Sequence, residues 1–386
     1  MFSSLSSNRS NNIEILTEFL IYSNLSITAL FSQFLDSRGF SAFQIGVLMA
    51  VLPAFSLLAN PFWFARSKKR GAPTVLGIIT FAASILLWAV YFANNFLATL
   101  LSISAVAFFM ASLIPIAESI VVPSLRIKRR RFDRVRLFGT IGYGVTALVA
   151  GFLIRLGFIS IFIMSSAFLI SLSFLSKGYS RRDVRAVREE KSDGKLPGLF
   201  VLMLSGGVIS VTIGAFGSTF FPVLTRELGF DVSSAGLGFS LMAFSEIPFL
   251  LFADKILSRI GVFRLLVLGM FTTGLRWFLT SIATSYALFM ALQSLHGFNY
   301  VIVYYSIFKY IHYSLPEGSV IKGQTVYWMS TMGLSYLLGS VVGGVLVDTF
   351  GLRRMYTILG ASGMAAAAVF FVVLSLYKNT PERNDV

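Results

Sequence analysis

The chain has 386 residues, of which 56% are hydrophobic and only 13% charged, and its formal net charge is +15. Long apolar runs recur from end to end, more than a water-soluble domain can hide, so a soluble globular protein is excluded. With no cysteine, disulfides, thiolate chemistry and cysteine-ligated metals are excluded too, and the redox compartment stays open.

A bilayer core about 30 Å thick needs roughly 20 apolar residues per helical span. In chain order the apolar runs predict twelve spans: 13–36, 41–65, 72–92, 96–122, 135–156, 158–176, 196–225, 232–254, 262–282, 286–314, 320–347 and 354–377. Barrel strands would alternate at every second residue, whereas these runs are apolar on all sides, so the fold class expected is an all-α membrane protein. The N-terminal stretch MFSSLSSNRSNN lacks a basic region and a small-residue cleavage site, which leaves span 1 itself as the targeting signal.

The positions of the charges decide what the positive balance means. A cytoplasmic N-terminus puts 26 of the 32 Lys and Arg on the cytoplasmic side and five on the other, with Arg276 alone deep in a span. That asymmetry is the positive-inside pattern. The basic runs RSKKR (66–70), RIKRRRFDRVR (126–136) and the set from Lys177 to Lys195, which includes Asp183, Glu189, Glu190 and Asp193, read as solvated loops beside lipid headgroups and not as nucleic-acid surfaces. The expected setting is the cytoplasmic membrane of a prokaryote, with both termini cytoplasmic.

The longest polar interruption follows span 6 and divides the chain into an N-terminal six-helix bundle at 1–177, a cytoplasmic linker at 178–195 and a C-terminal six-helix bundle at 196–386. A slide of 190 residues lays GFSAFQIG (39–46) over GFDVSSAG (229–236), and Gly71 over Gly261. Two repeated halves with a site at the bilayer midplane are a transporter plan. Pro53, Pro61, Pro115, Pro123, Pro222 and Pro248 read as kinks, and Gly339, Gly343 and Gly344 as close helix contacts.

An ionisable group at membrane depth is expensive and usually functional. Glu246 on span 8, Arg276 on span 9 and His296 on span 10 fall within roughly 6 Å of the midplane at a rise of about 1.5 Å per residue. One reading makes Glu246 a proton-carrying carboxylate with Arg276 and His296 as its modulators. The plainer one makes Glu246 and Arg276 a structural ion pair with His296 hydrogen-bonded across helices. A second set, Glu18, Glu118 and Arg136, lies nearer the cytoplasmic face. Asn24, Gln33, Gln293, Asn299 and Gln324 could hold a polar solute or bond between helices. Tyr300, Tyr304 and Trp328 could stack on a planar solute or simply pack.

PIAE (Pro115 to Glu118), FDRVRLFGTIGY (Phe132 to Tyr143), SEIP (245–248) and QSLHGFNY (293–300) resemble motifs of the phenylpropionate-permease branch of the major facilitator superfamily, a branch related to lactose permease and the nucleoside–proton symporters. The resemblance implies a twelve-helix facilitator fold and proton-coupled uptake, with Glu118, Arg136, Glu246 and His296 as the matching positions. Phe138 and Thr140 stand where the pattern has Trp and Ser, Glu118 where it has Asp, and the loop motif after span 2 reads NPFWFARSKKRG with no Asp.

The glycines of GTIGYG follow no strand and precede no Gly-Lys-Ser/Thr, so they mark helix packing and not a phosphate loop. The expectation is therefore a secondary transporter, with no cofactor and no metal site. Its finer form is a monomeric proton symporter of a small organic solute (an aromatic acid, a nucleoside or a sugar), with a proton-coupled exporter or a membrane solute sensor as alternatives. An intramembrane enzyme would need a nucleophile or metal cluster, and His296 and His312 supply none.

Overall fold

The computed structural model describes residues 12–179 and 195–378. Most of the expected linker, including Asp183, Glu189, Glu190 and Asp193, lies outside the described residues, as do the first eleven residues and the last eight. All regular structure among the described residues is helical. Eleven helices are long and apolar enough to cross a membrane: Ile13–Ser37, Ala42–Arg70, Ala72–Phe92, Phe96–Ile127, Arg134–Leu156, Ile159–Ser176, Gly198–Glu227, Ser234–Ala253, Val262–Ile282, Lys322–Phe350 and Leu352–Tyr377. They are spans 1 to 9, 11 and 12.

Span 10 departs from the continuous helix expected over 286–314. It runs as an α-helix Tyr286–Ala291, a 3-10 stretch Leu292–Phe298 and a second α-helix Tyr300–Ser314. Periodicity does not reveal such a break, because the run stays apolar through it. Span 11 also changes winding, with a π-helical turn at Met329–Ser335 between Glu317–Trp328 and Tyr336–Phe350. There Ser335 Oγ donates to the Ser330 carbonyl at 3.0 Å and sits 3.2 Å from that of Val208.

Helix ends follow local chemistry. Ser41 and Gln44 form a capping box at the start of span 2, and Asn95 and Ser285 cap spans 4 and 10 through their side chains. The repeat is visible in the backbone: Gly39 and Gly229 have φ of 79° and 72°, and Gly71 and Gly261 have 87° and 82°. Each pair turns the chain at the same place in its half, with a left-handed geometry that favours glycine.

Contacts divide the chain into two compact units, residues 1–189 with 225–243, and residues 190–224 with 244–386. In the first, span 1 packs on spans 5 and 6 around a core that includes Leu20, Ile79, Ile116, Ile120 and Leu172. The glycines of GTIGYG permit this approach, since a Cβ on Gly142 would meet the Phe19 carbonyl. In the second, span 9 packs on span 12, where Gly274 and Gly360 bring the two backbones together. Small residues serve this purpose in lipid, where burial of apolar surface gives helices little reason to associate. Large side chains such as Leu58, Phe81, Phe174, Leu251 and Val369 are exposed, as a lipid-facing surface requires.

Candidate functional site

The second unit gathers the three ionisable groups that the sequence places at depth, with Gln293 beside them. Arg276 on span 9 is 1% exposed. Its Nη1 lies 2.9 Å from His296 Nδ1, and its Nη2 donates to Gln293 Oε1 at 2.8 Å. A guanidinium only donates, so Nδ1 is the acceptor and the ring proton belongs on Nε2. That nitrogen stands 3.2 Å from Glu246 Oε1. The order is therefore cation, neutral imidazole, carboxylate. Gln293 is itself oriented by donation from Nε2 to the Phe289 carbonyl at 2.8 Å, which turns its oxygen toward the guanidinium. Arg276 also lies over the Trp277 ring, 3.9 Å from its centroid, a favourable cation–π placement.

The break in span 10 creates this arrangement. In a 3-10 helix residues i and i+3 eclipse, so Gln293 and His296 project from one side and both reach Arg276. Span 8 fixes the break from outside: the Gly297 amide donates to Ser245 Oγ at 2.9 Å, and a Cβ on Gly297 would overlap the Ser245 carbonyl. Asn299 restarts the helix by accepting from the Tyr300 amide through its side chain. With Ser245 set against Gly297, the next residue, Glu246, faces His296.

Beside the chain is a cavity of about 30 Å³, lined by Arg276, His296, Thr273, Asn299, Tyr300 and Tyr336, by Ser210, Gly214 and Ser218 of span 7, and by the apolar side chains of Val211, Ala215 and Val303. That is room for a water or for one small polar group. Tyr300 stacks on His296 with ring centroids 5.7 Å apart and planes 4° from parallel. Backbone that leaves the α-helix at membrane depth is tolerated where it is buried in protein or lines a cavity, and the 3-10 stretch of span 10 does so here.

The other candidates sit elsewhere. Tyr304 belongs to a ring cluster with Tyr327 at 6.1 Å and Trp328 at 5.9 Å, Trp328 is 39% exposed, and neither Tyr304 nor Trp328 lines the cavity. In the first unit Arg136 lies 3.6 Å from the centroid of the Tyr22 ring and acts electrostatically on both Glu18 and Glu118. Asn24 is buried and accepts from Ser165 Oγ at 2.6 Å. Gln33 donates to the Val232 carbonyl at 3.1 Å.

Several residues in these networks escape a sequence reading. Glu14, one turn before Glu18 on span 1, is fully buried and takes bonds from Ser124 Oγ at 2.5 Å and Lys128 Nζ at 2.7 Å. Ser245 is legible only as the neighbour of Glu246. Ser210, Gly214 and Ser218 recur every four residues on span 7, a small-residue face that the sequence does display. In the loop after span 7, Asp231 accepts from Ser233 Oγ at 2.5 Å, the Ser233 amide at 2.9 Å and Arg155 Nε at 2.9 Å. The Ser233 bonds first, and Arg155 with them, hold its carboxyl down to about 2.

Apolar helices that cross a membrane many times around a connected polar network are a plan that transporters use. The chain belongs to the MFS_1 like family, whose profile matches residues 16–358, and it is a multi-pass major facilitator transporter with the twelve-helix fold. It is 22% identical over 364 residues to the uncharacterized transporter YwbF of Bacillus subtilis (strain 168), covering 92% of this chain and 90% of that one. It is 25% identical over 374 residues to the putative nucleoside transporter YegT of Escherichia coli (strain K12), covering 88% and 87%. The crystal structure of a mutant of the nucleoside transporter NupG superposes with a TM-score of 0.82 at 18% identity, covering 94% of this chain and 99% of that one.

Proposed function

We propose that this transporter is a proton-coupled symporter that carries a small organic solute, an aromatic acid, a nucleoside or a sugar, by alternating access of its bundles at 1–177 and 196–386. It works as a monomer in the cytoplasmic membrane of a prokaryote, with both termini in the cytoplasm. The observation that carries the reading is the Arg276–His296–Glu246 chain beside a cavity. Glu246 is its one carboxylate, and a proton taken up there removes the negative end of the chain while the guanidinium stays charged. Bacterial relatives described as transporters support the setting, and the nucleoside transporters among the matches support a nucleoside as one candidate.

In this reading Glu246, His296 and Arg276 couple the proton, and Gln293, Asn299 and Tyr300 hold solute beside them. Glu118, Arg136 and Asn24 serve the solute from the N-terminal bundle, and Tyr304 and Trp328 offer aromatic faces to it. The test is a comparison, in vesicles holding the Glu246→Gln protein, of solute exchange with proton-driven accumulation. Exchange without accumulation is expected. Accumulation at the wild-type level contradicts the assignment.

A further inference from the structure

Two glutamates stand one turn apart on span 1, and both Glu14 and Glu18 are 0% exposed. A spacing of four residues sets them on one face of the helix. Glu14 is matched: its Oε1 accepts from Ser124 Oγ at 2.5 Å and from Lys128 Nζ at 2.7 Å, so its negative charge has a cation in contact. Glu18 is not. Neither of its oxygens has a hydrogen-bond partner among the described residues.

The charges that act on Glu18 are Arg136 of span 5 and Glu118 of span 4. Arg136 acts on Glu118 as well, and its guanidinium lies on the Tyr22 ring. One cation therefore serves two carboxyls. Glu118 keeps some exposure to its surroundings, whereas Glu18 has none. A carboxylate taken out of water without donors is so costly that it takes up a proton instead, and of the two carboxyls Glu18 is the one that meets this condition.

The remaining titratable groups leave that count unchanged at mild pH. Tyr179, just past span 6, senses both Glu14 and Glu18, and its hydroxyl shares a 2.8 Å bond with Thr17 Oγ1. Tyr22 on span 1 and Tyr143 on span 5 pack on the same core. Phenols ionise only near pH 10. The helix Ile159–Ser176 of span 6 carries no titratable side chain, and Lys128 at the end of span 4 is committed to Glu14.

We propose that Glu18 is a proton-binding site of the first unit, filled in this conformation, and that its proton sets how many negative charges Arg136 faces. With the proton in place the guanidinium answers to Glu118 alone. Without it, a second carboxylate competes for the same cation from span 1. The site gives the first unit a pH response of its own, separate from the Arg276–His296–Glu246 chain of the second unit, and its test needs neither a solute nor a proton gradient.

The experiment compares the melting temperatures of purified full-length wild type and Glu18→Gln from mildly acidic to mildly alkaline pH. Glutamine keeps the size of the protonated acid and cannot ionise, and the effects of other groups on the two proteins cancel in the difference. A carboxyl that holds its proton when folded but not when unfolded contributes stability that is fully present below its unfolded value, about 4.3. That contribution is lost as pH rises, until the carboxyl ionises in the folded protein too. The expected result is that wild type loses stability relative to Glu18→Gln from about pH 4.3 upward, by up to about tenfold in the folding equilibrium per pH unit, and that the difference then levels off. The same comparison in an Arg136→Gln background should level off at higher pH, because an attraction for the ionised form is gone. In a Glu118→Gln background it should level off at lower pH, because a repulsion is gone. Infrared spectra give a second reading: at neutral pH wild type should show the carbonyl stretch of a protonated carboxyl that Glu18→Gln lacks and Glu246→Gln retains. Because wild type and Glu246→Gln carry that band by themselves, a Glu18→Gln protein that fails to fold does not remove the test. A melting-temperature difference that stays constant over this range, or that changes in favour of wild type as pH rises, overturns the proposal. So does a wild-type spectrum without the band, or a band that Glu18→Gln retains. A levelling point that neither background moves overturns the link to Arg136.

Discussion

Gly297 and Ser245 form the joint between spans 10 and 8: the glycine amide donates to the serine hydroxyl at 2.9 Å, and the two backbones meet where a glycine Cβ would stand. The polar chain at this depth depends on that joint, because it sets His296 opposite Glu246. Gly297→Ala is predicted to force the spans apart at a typical overpacking cost of about 1–3 kcal/mol, and with them the 3.2 Å contact between His296 and Glu246. Melting temperature and uptake should both fall, whereas Ser245→Ala, which removes only the hydroxyl, should reduce them less. Equal stability of Gly297→Ala and wild type would show that the joint does not hold the site.

Arg276→Lys tests the guanidinium fork. Arg276 reaches His296 and Gln293 with separate nitrogens, and a lysine ammonium is a point donor that cannot reproduce that planar spread. Loss of one charge-assisted bond, about 1.5–3 kcal/mol, predicts at least about a tenfold loss in transport efficiency while the positive charge is retained. Transport at the wild-type rate would mean that charge alone suffices there.

In the N-terminal bundle, Arg136 acts on Glu118 and lies on the Tyr22 ring. Arg136→Ala and Glu118→Ala are each predicted to weaken solute binding, and the double variant should lose less than the sum of the two, as coupled partners do. Additive losses, read by the same binding assay, would separate them.

Asp231 gives a prediction with a sign. Its carboxyl is held below the ordinary carboxylate range, at about 2, first by Ser233 and then by Arg155. A depressed carboxyl contributes stability that is present above its unfolded value, near 3.9, and is lost as pH falls toward the folded one. The difference in melting temperature between wild type and Asp231→Asn should be constant at neutral and mildly acidic pH and should shrink only as pH drops from about 4 toward 2. Both partners are half exposed, so the difference is small throughout. A difference that grows on acidification contradicts the assignment.

Reporter fusions at the basic end of span 2 (66–71) and in the basic segment between spans 4 and 5 (126–134) are predicted to report cytoplasm, and fusions at Asn94 and Asn95 the opposite side, from the 26-to-five division of Lys and Arg. A cytoplasmic signal at Asn94 would invert the topology.

Much of this molecule is legible in its residues. The apolar runs locate the spans, and the 190-residue offset locates the turns, with Gly39 and Gly229 and then Gly71 and Gly261 sharing a left-handed backbone. Depth alone puts Glu246, Arg276 and His296 at one level, and the structure joins them in the order Arg276, His296, Glu246. The break in span 10 is not legible, because hydropathy does not distinguish a 3-10 turn from an α-turn, and the cause of the break lies on another span at Ser245. Glu14 escapes because a carboxylate near the end of a span looks solvated until Ser124 and Lys128, more than a hundred residues away, are seen to close over it.

The most direct measurement takes the Glu246→Gln protein in sealed vesicles and records solute–solute exchange beside accumulation driven by an imposed proton gradient, with wild type in parallel. Glutamine retains the size of the protonated acid and much of its hydrogen bonding but has no proton to release. Symport through Glu246 predicts that the variant exchanges solute at a rate comparable to wild type and accumulates none against its gradient. Accumulation by Glu246→Gln to the wild-type level would contradict the account, since the proton would then travel by another group.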